Sequence, residues 1–339
     1  MILRLVILFY AIMIPPPGLA RGVDGISSHG SSGSYRISND KTKIIIAPAL
    51  GRIMCYGEPG GFNLLWQKPR QAAPPASDAW NNVGGDKIWP WPDECWPVTS
   101  EGRLHPPPAW NQAAHELHIT GPCSVRMTSP VWTKTGLRII RDISLDETGT
   151  RAVISSFFES SGHKSPPSVL LPVPWSVTQM PLPQAILMRL ASPAPDLPRR
   201  YALHGFAWDS LKQPAPDILW LASPGGGVSK IGANSRAIGW WRGDLLFIQR
   251  LLSPDPHPPA EWSPLGQAQI FWTEKPGDDS TSYVELEFVA PLAPSDIPSP
   301  KLVVTWESHH LSSHRPSMDE VTTRFMTHTD PGPFAEPVK

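Results

Sequence analysis

The segment YVELEF, residues 283–288, carries two carboxylates in a pattern typical of a β-strand. Alternate side chains of a strand face opposite ways, so Tyr283, Glu285 and Glu287 would share one face. If that face lines a cleft, repulsion between the carboxylates and partial burial would raise one pKa and produce a candidate general base. A solvent-exposed strand face is the alternative interpretation, and the pattern alone leaves both open.

A second chemically suggestive segment, residues 81–110, combines tryptophans, prolines and charged residues. Its prolines argue against both a core strand and a helix, so we predict an ordered loop. Aromatic faces can stack on sugar rings while charged groups hydrogen-bond hydroxyls, and such mixed walls are typical of ligand sites. We therefore predict that Asp86, Lys87, Trp89 and Trp91 bind a carbohydrate. The alternative is that these tryptophans cap the open end of a sandwich core.

Other site chemistries lack a sequence signal. The eleven histidines include no His-Glu-x-x-His, and neither Gly-x-Ser-x-Gly nor Cys-x-x-Cys occurs, so we predict no metal and no cofactor. In an exported protein one pair of the three cysteines could form a disulfide, with Cys95 and Cys123 favoured over pairs containing Cys55. Three small, buried apolar side chains are the alternative.

The elements that would position these residues are β-strands. Short runs rich in Val, Ile, Phe and Trp are separated by Gly, Pro, Asn and Asp, and no three-turn amphipathic helix stands out. This pattern, without alternating helices, predicts an all-β fold with large antiparallel sheets. The predicted strands span residues 35–37, 43–47, 52–56, 116–119, 124–127, 137–145, 151–159, 170–179, 218–222, 237–242, 245–251, 267–273, 283–290 and 302–307.

The ends of the chain differ from this central region. Residues 1–20 combine Arg4, a short apolar run and a Gly-Leu-Ala sequence, which is typical of a secretory signal peptide and too short for a membrane span. We therefore expect a secreted or periplasmic protein without stable membrane insertion after cleavage. Residues 21–34 are expected to be flexible and residues 35–307 to form one domain. Residues 308–339 are expected to be a peripheral tail with a weak helical patch around residues 318–326.

The overall charge limits the class of ligand. The formal net charge is −1, and charged residues make up 17% of the chain, below the usual quarter. This balance lacks the basic surface of a nucleic-acid binder, so we predict no nucleic-acid partner. A neutral or weakly charged ligand such as a carbohydrate fits better.

Several motifs, in order along the chain, resemble the galactose mutarotase-like (aldose 1-epimerase-like) superfamily. They are APALGRIMCYGEPGGFNLLWQ, NVGGDKIWPWP, GLRIIRDISL, RAVISSFFES and SYVELEFVAPL, and the second and last resemble a bacterial branch. The resemblance covers residues 35–307 and implies a β-supersandwich, two large antiparallel sheets with a sugar-sized cleft. It implies that Arg52, Asn63, Trp175 and Gln179 are substrate-binding positions.

The resemblance also implies a mechanism, from which this chain departs. Aldose epimerases of the superfamily use a histidine as acid and a late glutamate as base, and Glu285 or Glu287 resembles that base. The histidine belongs to a His-Tyr-Phe element, but the matching region here reads PWSVTQ, residues 174–179. His204 lies downstream and is the substitute candidate for the acid.

Three functional hypotheses follow, and whether the protein is an enzyme stays open. The first is an exported carbohydrate-binding protein without ordinary aldose epimerase activity, which the missing histidine favours. The alternative is an active sugar epimerase or related carbohydrate enzyme that uses Glu285 or Glu287 with His204. The third is a periplasmic structural or assembly component, which the pairing of tryptophans with polar groups disfavours.

Overall fold

The computed structural model describes residues 22–28, 31–69, 82–98, 102, 104–162, 172–190, 211–252, 263, 265–278, 280–291 and 300–330. The predicted signal segment, residues 1–20, lies outside these ranges. No helix within them has the length and apolar character that crossing a membrane requires.

The first half of the chain consists mainly of strands. They are β1 (Gly22–Ser28), β2 (Ser31–Ser38), β3 (Lys43–Ala47), β4 (Arg52–Gly57), β5 (Asp86–Trp91), β6 (Glu116–Gly121), β7 (Ser124–Thr128), β8 (Leu137–Leu145), β9 (Ala152–Ser160) and β10 (Val173–Met180). A four-residue helix, α1 (Pro108–Asn111), precedes β6.

The second half continues the series and ends in a longer helix. Its strands are β11 (Ala185–Leu190), β12 (Leu211–Ala215), β13 (Ile218–Leu221), β14 (Gly227–Ala233), β15 (Ser235–Arg242), β16 (Leu245–Leu251), β17 (Ala268–Glu274), β18 (Tyr283–Val289) and β19 (Leu302–His310). Helix α2 (Met318–Thr329) follows β19.

These strands form two antiparallel sheets. The first has nine strands in the order β1-β2-β3-β4-β5-β10-β18-β17-β14, and the second has ten in the order β12-β13-β11-β15-β16-β19-β9-β8-β7-β6. The core lies between them, where Tyr56 of the first sheet packs edge-on against Phe247 and Trp306 of the second, with ring centroids 5.6 and 5.5 Å apart. The predicted all-β sandwich of two large antiparallel sheets is confirmed.

In the middle of each sheet, neighbouring strands come from distant parts of the chain. β10 pairs with β18, so that Ser176 lies opposite Phe288, and β9 pairs with β19, so that Ser156 lies opposite Leu302. The central strand pairs of each sheet therefore form only when the two halves of the chain meet.

Strand β5 corrects the prediction of a loop over residues 81–110. Pro90 of β5 lies directly opposite Pro174 of β10. The hydrogen bonds between these two strands therefore need no N–H from either proline. On its other side β5 pairs with β4 only at Ile53 and Asp86 among the described residues, so the missing N–H of Pro90 breaks no ladder there. The rule that confines proline to edges and bulges failed because these two prolines occupy matching positions.

The chain ends also differ from expectation. Residues 22–28 and 31–38 form a paired hairpin at the edge of the first sheet, whereas we expected residues 21–34 to be flexible. Their Ser- and Gly-rich composition hid a strand that is held by backbone pairing more than by apolar burial.

The C-terminal helix α2 packs on the outer face of the second sheet. Ser317 caps α2 by accepting a hydrogen bond from the Glu320 N–H, and Val321 and Phe325 are fully buried against the outer face of the second sheet. Gly239 of β15 permits this packing, because a Cβ atom there would lie 2.9 Å from the Phe325 ring. The helical patch expected around residues 318–326 is confirmed.

The cysteines do not form the disulfide considered above. Cys55 and Cys95 are buried free thiols, so no bridge links Cys95 to Cys123. Burial raises the pKa of Cys55 to about 11 and that of Cys95 to about 12, which keeps both thiols protonated at neutral pH.

Candidate functional site

Strand alternation and register bring several predicted residues to one face of the first sheet. Val284, Leu286 and Phe288 of β18 point into the core, so Glu285 and Glu287 point away from it. We call this outer surface of the first sheet the polar face. In the register of β10 with β5 and β18, Trp175 lies opposite Trp89, Gln179 opposite Glu285, and Val177 opposite both Lys87 and Glu287.

Glu285 makes a dense set of polar contacts on the polar face. Gln179 Nε2 donates a hydrogen bond of 2.7 Å to Glu285 Oε1, and Lys87 Nζ lies 3.5 Å from the same oxygen. Lys87 Nζ also lies 4.3 Å from the centroid of the Trp89 ring. Burial lowers the pKa of Lys87 to about 7, although Glu285 acts in the opposite direction. An amine with this pKa can exchange a proton near neutral pH.

Glu287, two residues along β18 from Glu285, is fully buried. Trp175 Nε1 donates to Glu287 Oε2 at 2.9 Å, and Lys230 Nζ of β14 donates to both oxygens at 2.8 and 3.2 Å. Burial raises the pKa of the Glu287 carboxyl, Lys230 lowers it, and neighbouring Glu285 raises it again, with a net upward direction. A carboxylate with a raised pKa is suited to general-base chemistry.

Arg52 and the short helix α1 support the polar face from one side. Arg52 donates to the Gly84 carbonyl at 2.8 Å and to Asn111 Oδ1 at 2.9 Å, and Trp89 Nε1 donates to the same amide oxygen at 3.1 Å. Burial lowers the pKa of the Arg52 guanidinium to about 10, although Glu285 and Asp86 act in the opposite direction. Arg52 is therefore close enough to Glu285 to contribute positive charge beside it.

Asp86 does not lie with the other predicted side chains, because its position on β5 points it into the core. There it forms an ion pair with Arg141 of β8 in the second sheet, and both side chains are 1% exposed. Thr178 Oγ1 of β10 donates to its other carboxylate oxygen at 2.8 Å. These contacts give Asp86 a role in joining the two sheets rather than in contacting a ligand.

The tryptophans of this region pack largely against one another. Trp89 meets Trp96 and Trp175 edge-on at 5.4 and 5.6 Å, and Trp96 stacks on Trp175 at 6.1 Å. All three are less than a tenth exposed, whereas Trp91 is half-buried. Interleaved charges therefore did not indicate exposed rings, because Lys87 is itself buried over the Trp89 ring. Trp96 Nε1 donates to the Pro90 carbonyl inside the protein.

Two other predicted residues stand apart from the polar face. Asn63 binds backbone groups after β4: its Oδ1 accepts from the N–H groups of Tyr56 and Leu65, and its Nδ2 donates to the Met54 carbonyl. Its side chain thus shapes a turn. His204 lies outside the described residues.

Sequence reasoning missed Lys230 and Asn111, which complete the polar face. Lys230 lies on β14, whose Gly- and Ser-containing sequence concealed a strand. The contact of Asn111 with Arg52 depends on helix α1, a single turn between prolines and a glutamine that carries no helical periodicity. Alternation along β14, once the strand is known, would have placed Lys230 on the same face as Glu287.

Comparison with solved structures finds similar folds, whereas comparison of sequences finds no match. No protein-family model and no curated protein sequence matches the chain. A candidate aldose 1-epimerase from Klebsiella pneumoniae subsp. pneumoniae superposes with a TM-score of 0.51 at 11% identity, over 90% of this chain and 85% of that one.

Two further solved structures are similar at lower scores. A galactose mutarotase-like protein from Lactobacillus casei has a TM-score of 0.49 at 10% identity, over 82% of this chain and 100% of that one. A galactose mutarotase related enzyme from Lactobacillus acidophilus has a TM-score of 0.48 at 11% identity, over 84% and 100%. At these identities the Klebsiella likeness establishes the fold, which is the galactose mutarotase-like β-sandwich.

Proposed function

We propose that the protein is an exported carbohydrate-binding protein that uses the polar face of the first sheet and lacks ordinary aldose epimerase activity. The observation that carries this proposal is the placement of Glu285, Glu287, Lys87 and Lys230 on one face beside aromatic rings. Carboxylate and ammonium groups can hydrogen-bond sugar hydroxyls, and aromatic rings supply the apolar part of the wall.

The half-buried aromatic residues of this face are better placed for stacking than the buried tryptophans. Trp91, Phe271 and Tyr283 keep part of their surface exposed, and Phe271 and Tyr283 lie 6.3 Å apart on neighbouring strands. The Lys230 side chain is 15% exposed, so it is a point at which a ligand can meet the Glu287 pair. The similar structure from Klebsiella, described as a candidate aldose 1-epimerase, makes a sugar the preferred ligand class.

The lack of epimerase activity is inferred from the partners of the two glutamates. Opening a pyranose ring requires a proton to be delivered to the ring oxygen while a base removes another. Among the described residues the partners of Glu285 and Glu287 are lysines, a glutamine and a tryptophan, with no histidine between them.

An active sugar epimerase or related carbohydrate enzyme remains the second candidate, because one observation favours it. The raised pKa of Glu287 suits a base, and Lys87, with a pKa of about 7, could serve as an acid in place of the predicted His204. Export by a cleaved signal peptide over residues 1–20 is part of the proposal and rests on sequence alone.

A glycan array on residues 21–339, followed by calorimetry on any hit, tests the binding proposal. Glu285→Gln should weaken binding by roughly tenfold or more, because a hydrogen bond to a charged group contributes about 1.5–3 kcal/mol. Glu116→Gln, an exposed glutamate on edge strand β6 of the other sheet, is the matched control and should leave binding unchanged.

Polarimetry with glucose and galactose separates the two candidates. Absence of mutarotation above the buffer rate is expected. Turnover at ordinary enzymatic rates that is lost in Glu287→Gln would establish the enzyme instead, and absence of any glycan hit would overturn the carbohydrate proposal.

A further inference from the structure

A cluster of metal-ligating side chains lies where the end of α2 meets β19. Glu307 and His309 are two residues apart on the strand and therefore share a face, and His328 lies in the last turn of the helix. One potential ligand atom from each residue lies within 4.8 Å of the other two. The cluster belongs to the second sheet and is separate from the polar face of the first.

The two histidines leave buried nitrogen atoms without hydrogen-bond partners among the described residues. Nε2 of His309 and Nε2 of His328 are both buried and unsatisfied. His309 Nε2 lies 3.5 Å from Glu307 Oε2, at the outer limit of hydrogen-bond distance. The two imidazoles stack with centroids 3.8 Å apart and an interplanar angle of 24°. Unsatisfied buried polar atoms are rare in native proteins, and a bound ion is one of the few causes.

We propose that Glu307, His309 and His328 bind one divalent transition-metal ion of the zinc class. Two imidazole nitrogens and one carboxylate oxygen are a common donor set for zinc, with a fourth position left for water. Zinc–nitrogen distances are about 2.0–2.1 Å, so binding draws the three ligand atoms closer together. The stacked rings turn out of their parallel arrangement, so that each directs a nitrogen at the ion.

Neighbouring groups are arranged to support this role. Arg151 Nε lies 3.8 Å from Glu307 Oε1, which leaves Oε2 for the ion, and Arg250 donates at 3.2 Å to the His328 carbonyl. Such outer contacts orient ligands. The carbonyl end of α2 also carries partial negative charge. Calcium and magnesium prefer all-oxygen sites, so the two imidazole donors disfavour them.

The ion would fasten the C-terminal helix to the sheet. The expected consequences are one zinc ion per chain and a higher melting temperature in its presence. Calcium or magnesium at the same concentration should have no such effect.

Calorimetric titration of the untagged protein with zinc, after treatment with a chelator, tests the proposal. His309→Gln and His328→Gln should each weaken binding at least tenfold and abolish the zinc-dependent rise in melting temperature. His314→Gln, a 97% exposed histidine between β19 and α2, is the matched control and should retain both. Far-UV circular dichroism identifies variants that have not folded.

If His328→Gln fails to fold, His309→Gln, at the strand end, still decides the question. Binding that the control loses equally would overturn the proposal. So would binding that neither ligand variant weakens, or no zinc binding at all, and the imidazoles would then be a stacked packing contact only.

Discussion

Asp86→Asn should destabilise the protein strongly, because it removes one charge of the Asp86–Arg141 pair and leaves the other inside the core. Both side chains are 1% exposed, and the pair joins the two sheets. Removing one partner of a buried ion pair costs about 3–5 kcal/mol. For a protein of this size the melting temperature should fall by on the order of 10 °C.

An exposed ion pair provides the control for the loss of stability in Asp86→Asn. Arg126 and Asp142, on neighbouring strands β7 and β8, form a bidentate pair at 2.6 and 2.8 Å with side chains 47% and 38% exposed. Exposed pairs contribute about 1 kcal/mol or less, so Asp142→Asn should have little effect. Guanidinium unfolding monitored by circular dichroism gives both free energies.

A double-mutant cycle completes the experiment. Asp86→Asn with Arg141→Met removes both charges, so the loss should be smaller than the sum of the single losses by about 1–3 kcal/mol. If Asp86→Asn costs no more than Asp142→Asn, or if the cycle is additive, the pair is not desolvated and this account of Asp86 fails.

Three further changes have expected outcomes. The free energy of unfolding should decline as pH falls from about 6.5 towards 4. Burial lowers the pKa of His115 to about 4, so in this range the unfolded chain binds a proton that the folded chain does not. In urea titrations of His115→Gln, the free energy of unfolding should depend less steeply on pH. Trp175→Phe should cost about 1–3 kcal/mol, because it removes one of the two donors to the buried Glu287 carboxylate and leaves only Lys230. Trp241→Phe, which removes a hydrogen bond to the Gly243 carbonyl near a turn, should cost less, and equal losses by chemical denaturation would contradict the assignment. Gly239→Ala should destabilise the protein by about 1–3 kcal/mol, because the new Cβ would lie 2.9 Å from the Phe325 ring. Gly25→Ala, whose Cβ would have no atom within 4 Å, should be near neutral, and thermal melts of both variants measure the difference.

The sequence predicted the fold well where local pattern and burial agree. β8 and β16 are continuous or alternating apolar runs, and the predicted bounds match the observed ones. β1, β12 and β14 were missed because they are polar or Gly-containing and are stabilised by pairing with a neighbour, which a single segment does not reveal. β11 was missed although it is a buried apolar run, because so short a run does not distinguish a strand from a buried helix segment.

The same contrast between local pattern and long-range pairing explains which site residues the sequence could place. Alternation correctly put Glu285 and Glu287 on one face of β18, because period two is a local property. Asp86 and Lys87 are adjacent in sequence but point to opposite faces, and recognising this required knowing that β5 is a strand. Because the prolines of residues 81–110 led to the prediction of a loop, the opposite orientation of these two side chains was not predicted. The ring contacts among Trp89, Trp96 and Trp175 join separate segments and have no signature within any one of them.

The pairing of β10 with β18 and of β9 with β19 has a consequence for how the chain acquires its structure. Trp175 and Glu287, which meet in the first pair, are 112 residues apart. Closing such loops is entropically costly before the contacts form, so folding should be slow and limited by these late encounters. During synthesis, β9 and β10 emerge long before their partners, and their unpaired edges are available for aggregation until the C-terminal third arrives. Truncations before residue 302 should therefore yield insoluble chains, and slowed production or added chaperones should raise the yield of the full-length protein.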